Sequence, residues 1–152
     1  MRIHQGRDLS VLEKIPVSKI VRTDYDFVRE HTPLGEMVGL IRHGNMHDFP
    51  VIDHEGQFLG MIWFHDIREV MLEDDMYALL IAEDVLGDAP PVLRTQSSLA
   101  DALLQFTLND ADSLPIFQSG RKLAGVITRS DLMRCYEREL LLRERIDGME
   151  EA

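Results

Sequence analysis

Apolar and polar positions follow one order twice along this chain of 152 residues. Phe27-Val28 is a short strand-like pair set behind the turn-forming Thr23-Asp24. Leu34, Met37, Val38 and Ile41 then recur at i, i+3, i+4 and i+7, one buried helical face with Thr32 as the hydroxyl that opens it. The polar run Gly44-Asn45-Met46-His47-Asp48 ends that helix. Strands from Phe49 to Ile52 and from Phe58 to Trp63 flank the turn Asp53-His54-Glu55-Gly56, and a second helix opens near Phe64-His65-Asp66. The succession then returns. Val92-Leu93 follows Asp88-Ala89-Pro90-Pro91, Ser97 precedes a helix carrying Leu99, Ala102, Leu103 and Phe106, and the polar run 109–113 closes it. Strands Leu114 to Phe117 and Leu123 to Ile127 surround Gln118-Ser119-Gly120-Arg121, ahead of a helix from Arg129-Ser130-Asp131.

The two passages superpose without a gap at an offset of 65 residues, Val17 to Leu72 on Ala82 to Glu137. Arg29 meets Arg94, Leu34 Leu99, Pro50 Pro115, Gly60 Gly125, Ile62 Ile127 and Asp66 Asp131. A tandem duplication explains this register. Each unit reads β-α-β-β-α, and its helices cover one face of its sheet, so a lone copy would leave apolar surface wet. The expected fold is therefore α/β (more strictly α+β), two such repeats packed sheet to sheet about a pseudo-two-fold axis. That symmetry creates two similar clefts, each reached by residues of both halves. The expected division is a linker with a short helix (Leu9 to Ile15) over 1–16, repeat one over 17–75, repeat two with a long C-terminal helix over 76–146, and a frayed tail over 147–152. Met76 to about Leu80 reads as helical, and Leu140-Leu141-Leu142 offers more apolar surface than one helix face needs, which points to a partner, expected to be a second copy.

Charge narrows the function. The net charge is −11, yet residues 1–22 hold five basic side chains against two acidic ones, +3, leaving −14 for the rest. An acidic body argues against nucleic acid, where phosphate neutralisation supplies much of the affinity. A basic leader suits a segment leaving the inner face of a membrane. The longest apolar run, Phe58 to Phe64, is far below the roughly 20 residues of a membrane-spanning helix. Cys135, the single cysteine, fits a reducing compartment. No nucleophile, base and orienting group assemble from the sequence, so no enzyme is expected. His43-x-x-x-His47 has metal-like spacing, but Gly44-Asn45 breaks the helix that would align the pair, and no metal is expected. Trp63 reads as packing at the sheet interface.

Phe49-Pro50-Val51-Ile52 through Gly60-Met61-Ile62-Trp63-Phe64-His65-Asp66, and Leu114-Pro115-Ile116-Phe117 through Gly125-Val126-Ile127-Thr128-Arg129-Ser130-Asp131, resemble the CBS domain motif. From Val17 to Tyr136 the chain looks like a CBS pair, or Bateman module. The leader Gly6-Arg7-Asp8, Val11-Leu12 and Ile15 to Ile20 is similar to the linker between the last membrane helix of CLC chloride channels and transporters and their cytoplasmic CBS pair. The resemblance implies a homodimeric regulatory module on the cytoplasmic face of a membrane, attached to a transmembrane part of the same polypeptide. The alternatives are a free-standing CBS-pair adenylate sensor and a ligand-free dimerisation module attached to another protein.

The resemblance also implies a site. In nucleotide-binding CBS pairs the Thr/Ser and Asp of the motif face ribose and phosphates, which falls here on Thr128, Ser130 and Asp131. CLC-like adenine contacts fall on Met46 and His47, and on the turn near Tyr25 and Asp26. The expected ligands are ATP, ADP or AMP, none of them a required cofactor. The chemistry fits: Asp131 can accept both hydroxyls of a ribose diol, Thr128 stands at a helix start where free N–H groups favour phosphate, and Gly125 admits close backbone. Arg129 adds a further donor. In the symmetry-related cleft Trp63 replaces the hydroxyl, with Asp110 and Asp112 beside it, so that cleft is expected to stay empty or to take an uncharged group. A second reading of Thr128-x-x-Asp131 stands beside the first: a helix capping box, contributing on the order of 1 kcal/mol and holding no ligand.

Overall fold

The computed structural model describes residues 7–44, 46–73 and 78–151. Helix α1 (Arg7–Glu13) leads into a 3₁₀ turn at Val17–Lys19. Repeat one follows with α2 (Leu34–His43), β1 (Phe49–Ile52), β2 (Phe58–Ile62), α3 (Phe64–Ile67) and a 3₁₀ turn at Val70–Leu72. A further 3₁₀ turn at Ala82–Val85 opens repeat two, with α4 (Leu99–Asn109), β3 (Ser113–Ser119), β4 (Lys122–Thr128) and α5 (Arg129–Glu151).

Each repeat holds one antiparallel hairpin, β1 with β2 and β3 with β4. The leading strand of each unit shrinks to one parallel bridge residue, Val28 on Val51 and Arg94 on Phe117. Proline explains much of this: Pro90-Pro91 precede the bridge in repeat two, and Pro50 and Pro115 bring no N–H to the strands being paired. The helix starts also differ from expectation by one or two residues. Thr32 and Ser97 accept from the backbone N–H of Arg29 and Arg94 instead of capping helices. The cap of α4 is Ser98, which accepts from Asp101 N at 3.1 Å while the Asp101 carboxylate accepts from Ser98 N.

The pseudo-two-fold is written in hydrogen bonds that cross between the halves. Leu99 N donates to Ile15 O, and Leu34 N to Leu80 O. Val17 N donates to Ser97 O, and Ala82 N to Thr32 O; Ser18 N donates to Thr95 O, and Glu83 N to Glu30 O. Each partner of a pair lies 65 positions from its counterpart, with the halves exchanged, as a two-fold requires. The segment ahead of each repeat is thus bonded to the other repeat. Leader residues Val11, Leu12, Ile15 and Val17 are buried in the larger core with Leu99, Phe106, Leu114, Ile127 and Tyr136. Phe58 and Phe117 meet edge to face at 5.0 Å across the joint between the repeats.

Of the stretch expected to be helical near Met76–Leu80, residues 76 and 77 lie outside the described residues, and 78–80 form a turn and its exit. Helix α5 continues to Glu151, through the segment expected to fray. Its one glycine, Gly148, costs a helix about 1 kcal/mol without breaking it. Among the described residues no helix is long and apolar enough to cross a membrane.

Candidate functional site

Gly125 sets the architecture of the cleft. The segment ending at Arg22 crosses β4 here, Arg22 N donating to Val126 O at 2.8 Å and Arg22 O accepting from Val126 N at 3.0 Å. A Cβ on Gly125 would lie well inside contact distance of Arg22 O, so only glycine lets the two backbones meet. The crossing brings the Arg22 side chain of the lead-in to the start of α5. There the guanidinium grips Asp131 twice, Nε to Oδ2 at 2.5 Å and Nη2 to Oδ1 at 2.9 Å. Arg134 stands 3.8 Å from the same carboxylate.

This pairing bears on both readings of Thr128-x-x-Asp131. Half of the capping box forms: Asp131 N donates to Thr128 Oγ1 at 3.1 Å. The carboxylate is instead spent on Arg22. The hydrogen bond from Arg22 is the main reason the Asp131 carboxyl sits below the usual carboxylate range, with smaller help from Arg22 charge, Thr128 and Arg134 against the opposing effect of burial. The same hydrogen bond raises Arg22.

In front of this pair lies an open cleft of about 480 Å³ lined by Met46 and His47 of repeat one, Asp112, Ser113, Thr128, Ser130 and Arg134 of repeat two, and Arg22. Four of the six expected residues, Met46, His47, Thr128 and Ser130, therefore come together across the repeat boundary. Asp131 stands behind the lining, held by Arg22. Asp26 does not line the cleft. Its carboxylate points at the end of α2, with Oδ2 2.9 Å from where a Cβ on Gly44 would sit. Tyr25 packs instead with Met46, Phe49 and Val126 under the cleft floor, and burial raises its phenol. Arg129 turns away too, its guanidinium 5.9 Å from the Phe106 ring centroid. The N-terminus of α5 is partly used already, because Arg129 N donates to Asp112 O.

Three lining residues were absent from the sequence reading of this cleft: Arg22, Ser113 and Arg134. Asp112, expected in the symmetry-related cleft, lines this one. The cause is Asp48, a buried carboxylate whose Oδ1 accepts from Phe64 N at 2.9 Å and whose Oδ2 accepts from Asp112 N at 2.9 Å and Ser113 N at 3.2 Å. One side chain thus caps α3 and ties the polar run of repeat two beside His47. An Asp aligned with Ser113, in a polar run before a strand, was the available signal. Arg22 could have been suspected as the last basic residue of the leader, 65 positions from Gly87.

The symmetry-related cleft is filled. Trp63 is 3% exposed and donates its indole N–H to Asp88 O at 2.9 Å. Its ring stacks on His65 at 6.2 Å, and His65 Nδ1 lies 2.9 Å from Asp66 Oδ1. Gly87 stands where Arg22 stands in the open cleft; a Cβ there would come within 2.5 Å of both Trp63 Cδ1 and Asp66 Oδ2.

Known proteins share this fold. The chain is 20% identical over 133 residues to inosine-5'-monophosphate dehydrogenase of Methanocaldococcus jannaschii, an alignment covering 88% of this chain and 25% of the dehydrogenase, so it spans about a quarter of that relative. Its fold is similar to CBSX2 in complex with AMP (TM-score 0.68, 21% identity, 82% of this chain and 97% of that one). It is also similar to the CBS domain of the bacterial CNNM/CorC family Mg2+ transporter in complex with ATP (TM-score 0.67, 16% identity, 83% and 89%). The CBS domain family matches at residues 17–73 and again at 82–138, the two halves that exchange hydrogen bonds across the pseudo-dyad, and the chain belongs to that family as a tandem CBS pair.

Proposed function

We propose that this CBS pair is a regulatory module that binds an adenine nucleotide in the cleft between Met46-His47 and Thr128-Ser130. The observation that carries the reading is the convergence there of Arg22, Arg134, Thr128 and Ser130, whose two cations outnumber the one carboxylate of the lining, Asp112, with Met46 and His47 of the other repeat opposite. Arg22 and Arg134 supply charge for phosphate within a chain of net charge −11, and Thr128 and Ser130 supply donors. Met46 and His47 offer cover for a purine ring. A carboxylate has about four lone-pair sites, so Asp131 can take a ribose hydroxyl while still holding Arg22. The structural neighbours in complex with AMP and with ATP support this ligand class.

Binding regulates only where nucleotide prefers one arrangement of the repeats over another. Both repeats contribute side chains, so closure on a ligand is felt at the joint between them. The partner that reads this change is another domain or a separate protein, and a free-standing sensor fits the observations as well as an attached one. Attachment to a CLC-type transporter at the cytoplasmic face of a membrane rests on the leader alone. Of that motif Gly6 lies outside the described residues, while Val11, Leu12 and Ile15 are packed into the core. Homodimerisation is supported by the exposed Leu141, Leu142 and Ile146 on α5.

Isothermal titration with ATP, ADP and AMP tests the reading. Binding with a Kd of about 1 mM or tighter is expected, and Arg134→Gln should weaken ATP about tenfold while affecting AMP less. No heat at about 5 mM of any of the three, where such a site would be mostly filled, would retire the nucleotide in favour of a dimerisation module.

A further inference from the structure

A second cavity, of about 380 Å³, lies where the segment 86–94 passes from β2 of repeat one to β3 of repeat two. It shares no lining residue with the nucleotide cleft. Phe58 and Phe117, in edge-to-face contact, are buried within it, and Leu59, Leu86, Pro90 and Val92 form apolar walls. Val92 is 68% exposed and Leu86 39%, an apolar surface left facing water. Arg94 and Arg121 are the charged residues of the lining.

The duplication shows what is unusual here. In repeat one the matching Arg29 is engaged: it donates to Asp53 O and lies 5.4 Å over the Phe27 ring. In repeat two Gln118 stands for Asp53, Gly120 for Glu55 and Arg121 for Gly56, so the turn loses two carboxylates and gains a cation. Among the described residues the Arg94 guanidinium has no hydrogen-bond acceptor; its backbone N–H donates to Ser97 Oγ and its carbonyl accepts from Ser97 N. Among the described residues the Arg121 guanidinium makes one long bond, Nη1 to Phe58 O at 3.3 Å. An apolar hollow with two underused guanidinium forks, in an otherwise acidic protein, selects an anion with an apolar body. The planar fork matches a carboxylate in two-point geometry, and the overall negative field disfavours more highly charged ligands.

We propose that this cavity binds a small monocarboxylate with an apolar acyl or arylalkyl body, as a ligand distinct from the nucleotide. The reading does not depend on whether the nucleotide cleft is used.

Saturation-transfer NMR and calorimetry on the full chain, with octanoate and 4-phenylbutyrate as probes and octylamine as the charge control, test it. Octanoate or phenylbutyrate should bind and octylamine should not. Saturating ATP should leave the probe bound. Arg94→Gln should weaken the carboxylate about tenfold, the loss of one charge-assisted pair. Arg121→Gln, at an exposed turn, should weaken it several-fold and provides an independent variant should Arg94→Gln fail to fold by thermal melting. Absence of carboxylate binding, equal binding of octylamine, displacement by ATP, or unchanged binding in a folded variant of each arginine would each overturn the proposal.

Discussion

The two clefts between the repeats are related by the duplication, yet one is open and the other filled. Where the open cleft has Arg22, Thr128, Ser130 and Arg134, the filled one has Gly87, Trp63, His65 and Glu69. Trp63 and Gly87 depend on each other, because the indole occupies the room that an arginine would need. On the other side Gly125, not Gly87, provides the space, and it is used to bring in backbone carrying an arginine. The filled cleft adds apolar burial to the joint. The open one keeps a polar wall standing by pairing Arg22 with Asp131. Duplication thus leaves one copy free to become core while the other stays accessible.

This contrast can be broken first at Trp63. Trp63→Ala should destabilise the chain by about 3–5 kcal/mol, the cost of emptying a buried aromatic site, read from the midpoint of urea unfolding. Loss of under about 1 kcal/mol would mean the indole is not packing the joint. The glycines give the next largest difference. Gly125→Ala should cost about 2–3 kcal/mol by forcing Arg22 backbone away. At the matching Gly60 an added Cβ meets Leu86 Cδ2 at 3.0 Å, the end of a half-exposed flexible side chain, so Gly60→Ala should cost well under about 1 kcal/mol. Equal penalties would contradict the claim that backbone crosses tightly on one side only.

Asp48→Asn sharpens the contrast between the polar runs. The amide can accept through one atom only, leaving at least one of three buried or part-buried backbone donors without its partner, at about 1–3 kcal/mol. Ser113→Ala, at the aligned position, should cost less. The smallest effect is on pH dependence. Because Arg22 depresses Asp131 in the folded state, the pair stabilises the fold above the ordinary carboxyl value of 3.8, and that contribution disappears as pH falls through the lower folded value. With the guanidinium 40% exposed, the contribution is on the order of 1 kcal/mol. Acid unfolding of Arg22→Met should therefore show a flatter stability profile below about pH 4 than the parent chain.

The repeat, its element order and the sheet-to-sheet pairing were legible because apolar spacing survives duplication. That Met46, His47, Thr128 and Ser130 meet in one cleft followed from the family resemblance. Side-chain competition was not legible. Asp131, expected to face ribose, is also held by Arg22 109 positions away, and no local spacing announces such a pair. Asp26 was placed by analogy in a turn whose direction depends on how α2 ends. Asp112 was assigned to the wrong cleft because Asp48 reaches across the dyad, a contact between halves that a repeat-by-repeat comparison treats separately.

Counting ATP bound per chain at saturation by equilibrium dialysis tests the central claim most directly. One molecule per chain is predicted, lost in Thr128→Val with Arg134→Gln and retained in a folded Trp63→Phe variant. Two molecules per chain, none, or one that survives the Thr128 and Arg134 changes would contradict it.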